Sequence, residues 1–397
     1  MHLLKKNNRF LFIILAIVLT FVIANQIRVL NGGTFVATVV YFRYLGYLLI
    51  GFLFFLFGVK FKIVVLHNLA MIAMVFTFLE ILFYAILGSP IKENKSFDMP
   101  DFKTGDLQYN VGHLPSPDTT LNEILVVGGD TSFNVNYSID KYHKRITPSY
   151  VKSSHDNDDE KEYALFFGCS IGFGYGLNDN QTIPYLYQSN GNINAYNFSY
   201  TGHGTNHVLA RLTHQNIREQ VNEKEGKAFY LFFWDHIARA VGTMKRYTHW
   251  LHFAPYYYLD GDSLIRRKMF KDGRPISSFI YENIYQSNIL NYFEVDFPLS
   301  LRASHFDLVA EMVVQSKIQY QTQFDDDDFY IVLMPAYKKV NEDDFNYFKK
   351  ALKQRGVSIL DLTDIVNYGP KYTLKNNPHP NEYFNDLFTK AMFNSFK

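Results

Sequence analysis

One stretch constrains this chain more than any other: Ala164-Leu165-Phe166-Phe167-Gly168-Cys169-Ser170-Ile171-Gly172-Phe173-Gly174-Tyr175-Gly176. Tyr163 to Phe167 is a short, unbroken apolar run, which reads as a buried strand. It stops at Gly168, and a serine follows two residues later. Further glycines let the backbone turn tightly. A serine at the carboxyl end of a strand stands where open α/β sheets place their ligands. No other serine in the chain combines strand, glycine and turn in this way.

The residues that follow alternate between strand and helix patterns. Thr182 reads as a helix N-cap, with Pro184 in the first turn. A helix starting close behind the serine would turn its positive end towards an anion. Ile193 to Phe198 is a strand ending near Gly202-His203-Gly204, with a helix from Thr205. Ala228 to Phe233 is a strand ending in Trp234-Asp235-His236. Phe306 to Gln321 reads as a helix and Asp328 to Met334 as a strand closed by Pro335. Asn341 to Arg355 is an amphipathic helix stopped by Gly356, and Val357 to Leu362 is another strand. Alternation of this kind predicts a parallel sheet with helices on both faces. The chain then runs through Asn376-Asn377-Pro378-His379-Pro380-Asn381 into a closing helix, Tyr383 to Phe396.

These blocks, taken in order, resemble the SGNH (GDSL-type) hydrolase superfamily. Gly168-Cys169-Ser170 stands where the family carries Gly-Asp-Ser. Gly202 matches the glycine of the second block, and His379-Pro380 matches the histidine before the final helix. The resemblance covers residues 162–397 and implies a three-layer α/β fold. It implies Ser170 as nucleophile, His379 as general base and then acid, and the N–H groups of Ser170 and Gly202 as oxyanion donors. It implies no cofactor and no metal. Two departures stand out. The third-block asparagine is missing, which leaves Asp235 or His236 to fill its role. Asn376 and Asn377 stand where an aspartate is expected, with Asp361 and Asp364 as other candidates for the acid. His203 and His207 read as cleft-lining or surface residues.

Upstream of this domain the chain has a different character. Phe10–Ile27 is an apolar run preceded by Lys5, Lys6 and Arg9. Two more follow, about 39–59 and 63–87. Each reaches the roughly 20 residues needed to span a bilayer. The expectation is a transmembrane anchor of three helices over residues 1–88. Lys60 and Lys62 lie between the second and third runs, so the positive-inside rule makes the amino terminus cytoplasmic and the main domain extracytoplasmic. Arg43 and Glu80 are the ionisable residues within these runs; they pair, or Arg43 snorkels to headgroups. Residues 89–161 form a connecting segment. It contains a β-hairpin, with Glu123 to Val127 and Thr131 to Asp140 joined by Gly128-Gly129-Asp130. Ser153 to Lys161, with His155, Asp156, Asp158 and Asp159, reads as a hydrated loop.

Composition narrows function mainly by exclusion. The 39 Lys+Arg balance the 38 Asp+Glu, which gives no electrostatic case for nucleic acid. A single cysteine rules out an intrachain disulfide. Tyrosine and phenylalanine are abundant, notably from Thr243 to Leu301, where a hairpin turns at Asp260-Gly261. With the resemblance, the expected function is a membrane-anchored extracytoplasmic serine esterase or O-acyltransferase working on ester groups of a surface glycan through an acyl-Ser170 intermediate. The expected partners are membrane lipid, an acylated glycan and a membrane-embedded envelope-biogenesis protein. The alternative is a catalytically degenerate SGNH domain that binds glycan or scaffolds an envelope polysaccharide assembly.

Overall fold

The structure is a computed structural model that describes residues 38–87, 93–95, 110–149, 161–335 and 341–396. Two compact units emerge. One is built from the described residues up to Leu87 together with Glu282–Asp296, and the other holds the rest.

In the first unit two helices, Thr38–Phe61 and Val64–Leu87, pack side by side. They are joined by a tight turn in which Lys62 takes a positive φ of 56°. The apolar segment Val64–Tyr84 is long enough to cross a bilayer, by length and composition. Many of its side chains, including Val64, Val65 and Ile72, are exposed. The expected first span, Phe10–Ile27, lies outside the described residues, and so does the side chain of Arg43. Glu80 is fully buried, and its described partners come from far along the chain. Its carboxylate accepts from the Ser287 hydroxyl, from the Asn288 backbone N–H at 2.9 Å and from Asn288 Nδ2 at 3.2 Å. Phe83 packs beside Tyr292 and Phe293. A buried carboxylate requires donors of this kind.

The second unit is organised by a five-stranded parallel sheet. Its strands follow a smaller sheet: β1 (Glu93–Lys95), β2 (Thr119–Val127) and β3 (Asp130–Ile139), all antiparallel. The predicted hairpin is therefore present, with Gly128 and Gly129 both at positive φ, and a third short strand joins it. The parallel strands are β4 (Glu162–Phe167), β5 (Ile193–Asn197), β6 (Gly226–Phe232), β9 (Phe329–Leu333) and β10 (Ser358–Asp361). A separate antiparallel hairpin, β7 (Pro255–Asp260) and β8 (Ser263–Met269), turns at Gly261.

The large sheet runs β10-β9-β6-β4-β5. In chain order its strands lie 2-1-3-4-5, a doubly wound arrangement whose crossovers leave in opposite directions on either side of the first strand. The sheet thus opens a crevice at the carboxyl end of β4, and Ser170 is there.

Period-two alternation sorts the central strands between two cores. Tyr163, Leu165 and Phe167 face one cluster with Ala228, Tyr230 and Phe232; helices Thr205–His214, Ala303–Phe324 and Glu342–Gln354 cover it. Ala164, Phe166, Phe229 and Leu231 face the other, under helices Ile183–Gln188 and Glu382–Asn394. Strands buried on both faces read as continuous apolar runs, and this made β4 and β6 visible in the sequence. Capping follows expectation as well. Thr182, Asn341 and Asn381 each accept a backbone N–H at the start of their helices.

Candidate active site

After β4 the chain passes through Gly168 and the extended Cys169 into a single helical turn, Ser170–Phe173. The helix expected at Thr182 does form, but the turn that begins at Ser170 itself comes first. Gly174 ends this turn at φ 82°, a left-handed conformation that a side chain would strain. Gly172 is needed for a different reason: a Cβ there would stand 2.4 Å from Ser199 Oγ. Close packing against the segment just after β5 leaves no room for it.

The carboxyl end of this turn is held by a residue the sequence did not single out. Arg145, 1% exposed, donates through Nη1 to the carbonyls of Phe173 (2.7 Å) and Gly174 (2.8 Å), and through Nη2 to Leu177 (2.6 Å). Its Nε pairs with Asp179 at 2.8 Å. A guanidinium at the end of a helical turn meets both its orphan carbonyls and its partial negative charge. Nothing in Lys141-Tyr142-His143-Lys144-Arg145 marks which cation will hold the serine turn.

Ser170 and His379 meet. Their Oγ and Nε2 atoms are 2.8 Å apart. The histidine sits on a loop pinned by hydrogen bonds from Leu374 N to His379 O and from Asn381 N to Tyr372 O. Asn377 Oδ1 lies 2.7 Å from His379 Nδ1 and also accepts the backbone N–H of His379 at 3.0 Å. That second bond determines the tautomer. The backbone N–H can only donate, so the amide atom facing it is oxygen. Nδ1 on the same oxygen must then carry its hydrogen, and Nε2 presents a lone pair to the serine hydroxyl. This is the tautomer a general base needs. Asn376 makes the preceding turn at φ 56°, a conformation asparagine tolerates.

One face of the histidine rests on Tyr175, with ring centroids 4.6 Å apart. The Tyr175 hydroxyl donates to Glu123 Oε1 (2.7 Å), and Tyr137 donates to Glu123 Oε2 (2.8 Å). Glu123 is 2% exposed. Burial and this carboxylate push the Tyr137 phenol well above its ordinary range. The small sheet is thus part of the wall behind His379. Ser132 Oγ donates to the carbonyl of Lys375, and Phe133 packs with Tyr175 and Leu374. In sequence, Glu123 is only the first residue of a strand-like run.

The remaining candidates go elsewhere. Trp234 packs among Phe306, Phe345 and Phe348. Asp235 binds Arg239 Nε (2.8 Å) and Arg246 Nη2 (2.7 Å). Burial alone would raise its pKa, but the two guanidiniums prevail and hold it below the ordinary carboxylate range. His236 is fully buried, stacked on Tyr230 with Nδ1 at 2.8 Å from its hydroxyl. Asp361 bonds Thr363 and Lys349. Gly202, at φ 77°, lies in the loop after β5; this loop runs beside the serine turn through a Tyr200 N to Gly168 O bond of 3.4 Å. His203 and His207 are 1% and 0% exposed, so the reading of them as cleft-lining or surface residues is corrected.

A serine at the switch point of this sheet, bonded to a histidine just ahead of the closing helix, is the arrangement that the resemblance to SGNH hydrolases implies. The fold is SGNH-like. No family model and no curated relative matches the chain. Among solved structures it is similar to TesA, with 10% identity over 59% of this chain and 98% of that one, at a TM-score of 0.36. It is similar to AlinE4, an SGNH-hydrolase family esterase, with 13% identity over 60% and 95% of the chains and a TM-score of 0.33. It is also similar to a catalytic mutant of Axe2, an acetylxylan esterase from Geobacillus stearothermophilus, with 12% identity over 59% and 93% and a TM-score of 0.32. Likenesses this distant carry nothing about chemistry.

Two predictions follow from the geometry. Replacing Tyr175 by Phe removes its tie to Glu123 and loosens the support behind His379. Labelling of Ser170 by a fluorophosphonate should slow about tenfold, equivalent to about 1.4 kcal/mol, with the melting temperature little changed. Asp235 should contribute stability above its unfolded pKa and lose it as pH falls through its lower folded pKa. Asp235→Asn should therefore cost about 3 kcal/mol at neutral pH, and thermal melts should show the gap to wild type closing below about pH 4.

Proposed function

We propose that this protein is a serine esterase or O-acyltransferase that works through an acyl-Ser170 intermediate. The observation that carries this reading is the 2.8 Å contact between Ser170 Oγ and His379 Nε2, with Nδ1–H directed at Asn377. In the first half-reaction the serine hydroxyl passes its proton to Nε2 as Oγ bonds to the ester carbonyl carbon. The oxyanion is received by the N–H groups of Ser170 and Gly202. Collapse breaks the ester C–O bond, and the alcohol leaves with the proton from Nε2. In the second half-reaction a water or sugar hydroxyl gives its proton to Nε2 and attacks the acyl group. Ser170 leaves and is reprotonated. Water yields a carboxylic acid; a sugar hydroxyl yields a new ester.

Asn377 orients the imidazole as an acid residue would, but it brings no charge to the imidazolium that forms. This favours a slow catalyst and is also what supports the second reading, a glycan-binding or scaffolding domain without turnover. The substrate side of the proposal is an ester on a surface glycan. Membrane anchorage is supported by the long apolar helix Val64–Tyr84. An extracytoplasmic domain is supported by Lys60 and Lys62 at the turn between the helices. The proposed partners are membrane lipid and a membrane-embedded envelope-biogenesis protein.

A fluorophosphonate probe applied to the purified full chain should label wild type and not Ser170→Ala. Folded wild-type protein that refuses the probe would support the scaffold instead. Asn377→Asp supplies the missing carboxylate and should raise the labelling rate about tenfold, measured under the same conditions.

A further inference from the structure

Three side chains outside the Ser170–His379 pair close on the loop that carries Gly202. We propose that one of them, His113, is a positioning residue for the acyl chemistry: it sets the direction of the Gly202 N–H and so completes the oxyanion site. This role rests on the esterase reading and adds to it the group that holds one of its two oxyanion donors in place.

Three consecutive carbonyls of this loop are each taken by a side chain. His113 Nε2 bonds Thr201 O at 2.7 Å, Trp250 Nε1 bonds Gly202 O at 3.1 Å and Arg239 Nη1 bonds His203 O at 2.6 Å. A carbonyl can only accept, so His113 Nε2 carries its hydrogen. The Thr201–Gly202 peptide is trans, and a planar trans peptide points its C=O and its N–H in opposite directions. Whatever holds Thr201 O therefore also aims the Gly202 N–H, away from His113. Trp250 fixes the next peptide plane in the same way. With both planes held, Gly202 keeps its φ of 77°, and its N–H makes no hydrogen bond to any described residue. The two rings leave space for glycine only: a Cβ would stand 3.0 Å from Trp250 Cδ1 and 3.1 Å from His113 Nε2.

His113 is itself anchored. It is 7% exposed, and its backbone carbonyl accepts from His203 Nε2 at 2.8 Å. The tie is reciprocal: the segment before β2 grips the loop through one histidine, and the loop grips it back through another. The His113 ring also packs edge-on against His203 and His207, with centroids 5.0 and 5.2 Å apart. Arg239, which holds the third carbonyl, is paired with Asp235. Such preorganisation matters more here than in a site with three donors. Trp234-Asp235-His236 supplies no third-block asparagine, so two backbone N–H groups must meet the developing negative charge. Losing one oxyanion donor typically costs about a hundredfold to a thousandfold in rate. A loose glycine loop would have to order its peptide plane during the reaction, whereas one already held needs no reorganisation.

The test uses the full chain in detergent and p-nitrophenyl acetate as the ester. His113→Phe keeps a ring in place and removes the N–H. It should lower kcat roughly 10- to 100-fold with KM unchanged, as for a contact felt only in the transition state. The pH at which the rate profile turns should not move, because Ser170 and His379 are untouched. His113→Gln, whose amide N–H can reach Thr201 O, should recover most of the loss. The proposal is overturned by a His113→Phe protein, folded by circular dichroism, that keeps the wild-type kcat. It is equally overturned by a His113→Gln protein as slow as His113→Phe. If His113→Phe does not fold, Trp250→Phe tests the same grip from the other side of Gly202: kcat lowered at constant KM is expected, and a wild-type kcat overturns the proposal. Wild-type protein inert to both p-nitrophenyl acetate and the fluorophosphonate probe overturns the esterase reading itself, and this role with it.

Discussion

The hydrogen bond from Ser170 to His379 joins residues 209 positions apart, and much of the domain serves to hold its two ends. The serine is presented by a strand that ends where the sheet changes winding direction. The histidine is presented by a loop that closes on itself through Leu374 and Asn381 before the last helix. The serine end is not rigid alone, since a single helical turn is a weak element.

Buried charge supplies the stiffness. Arg145 satisfies three carbonyls around the serine turn, and Asp179 neutralises it. Glu123 receives two phenols, one of which carries the ring under His379. Each charged group is costly to bury alone and is matched by donors or a counter-charge. Both come from residues 110–149, upstream of the parallel sheet. That segment is thus part of the site's supporting wall rather than a spacer.

The same economy explains the departures from the family pattern. Asp235 is occupied by two arginines and His236 by Tyr230, so neither is available to the serine. Asn377 takes the orienting place on Nδ1 without a charge.

The sequence alone determined the layer architecture, because strands buried on both faces must be apolar throughout, and helices between them announce themselves by caps and period. It also determined the chemical types at the two ends of the site, since glycine-flanked serine and proline-flanked histidine are local patterns. The tertiary structure alone decided which of two adjacent asparagines faces the imidazole, a matter of one turn at Asn376. It alone assigned Glu123, Arg145 and the three histidines their places. Burial of a polar side chain depends on partners distant in the chain, and no local pattern encodes them.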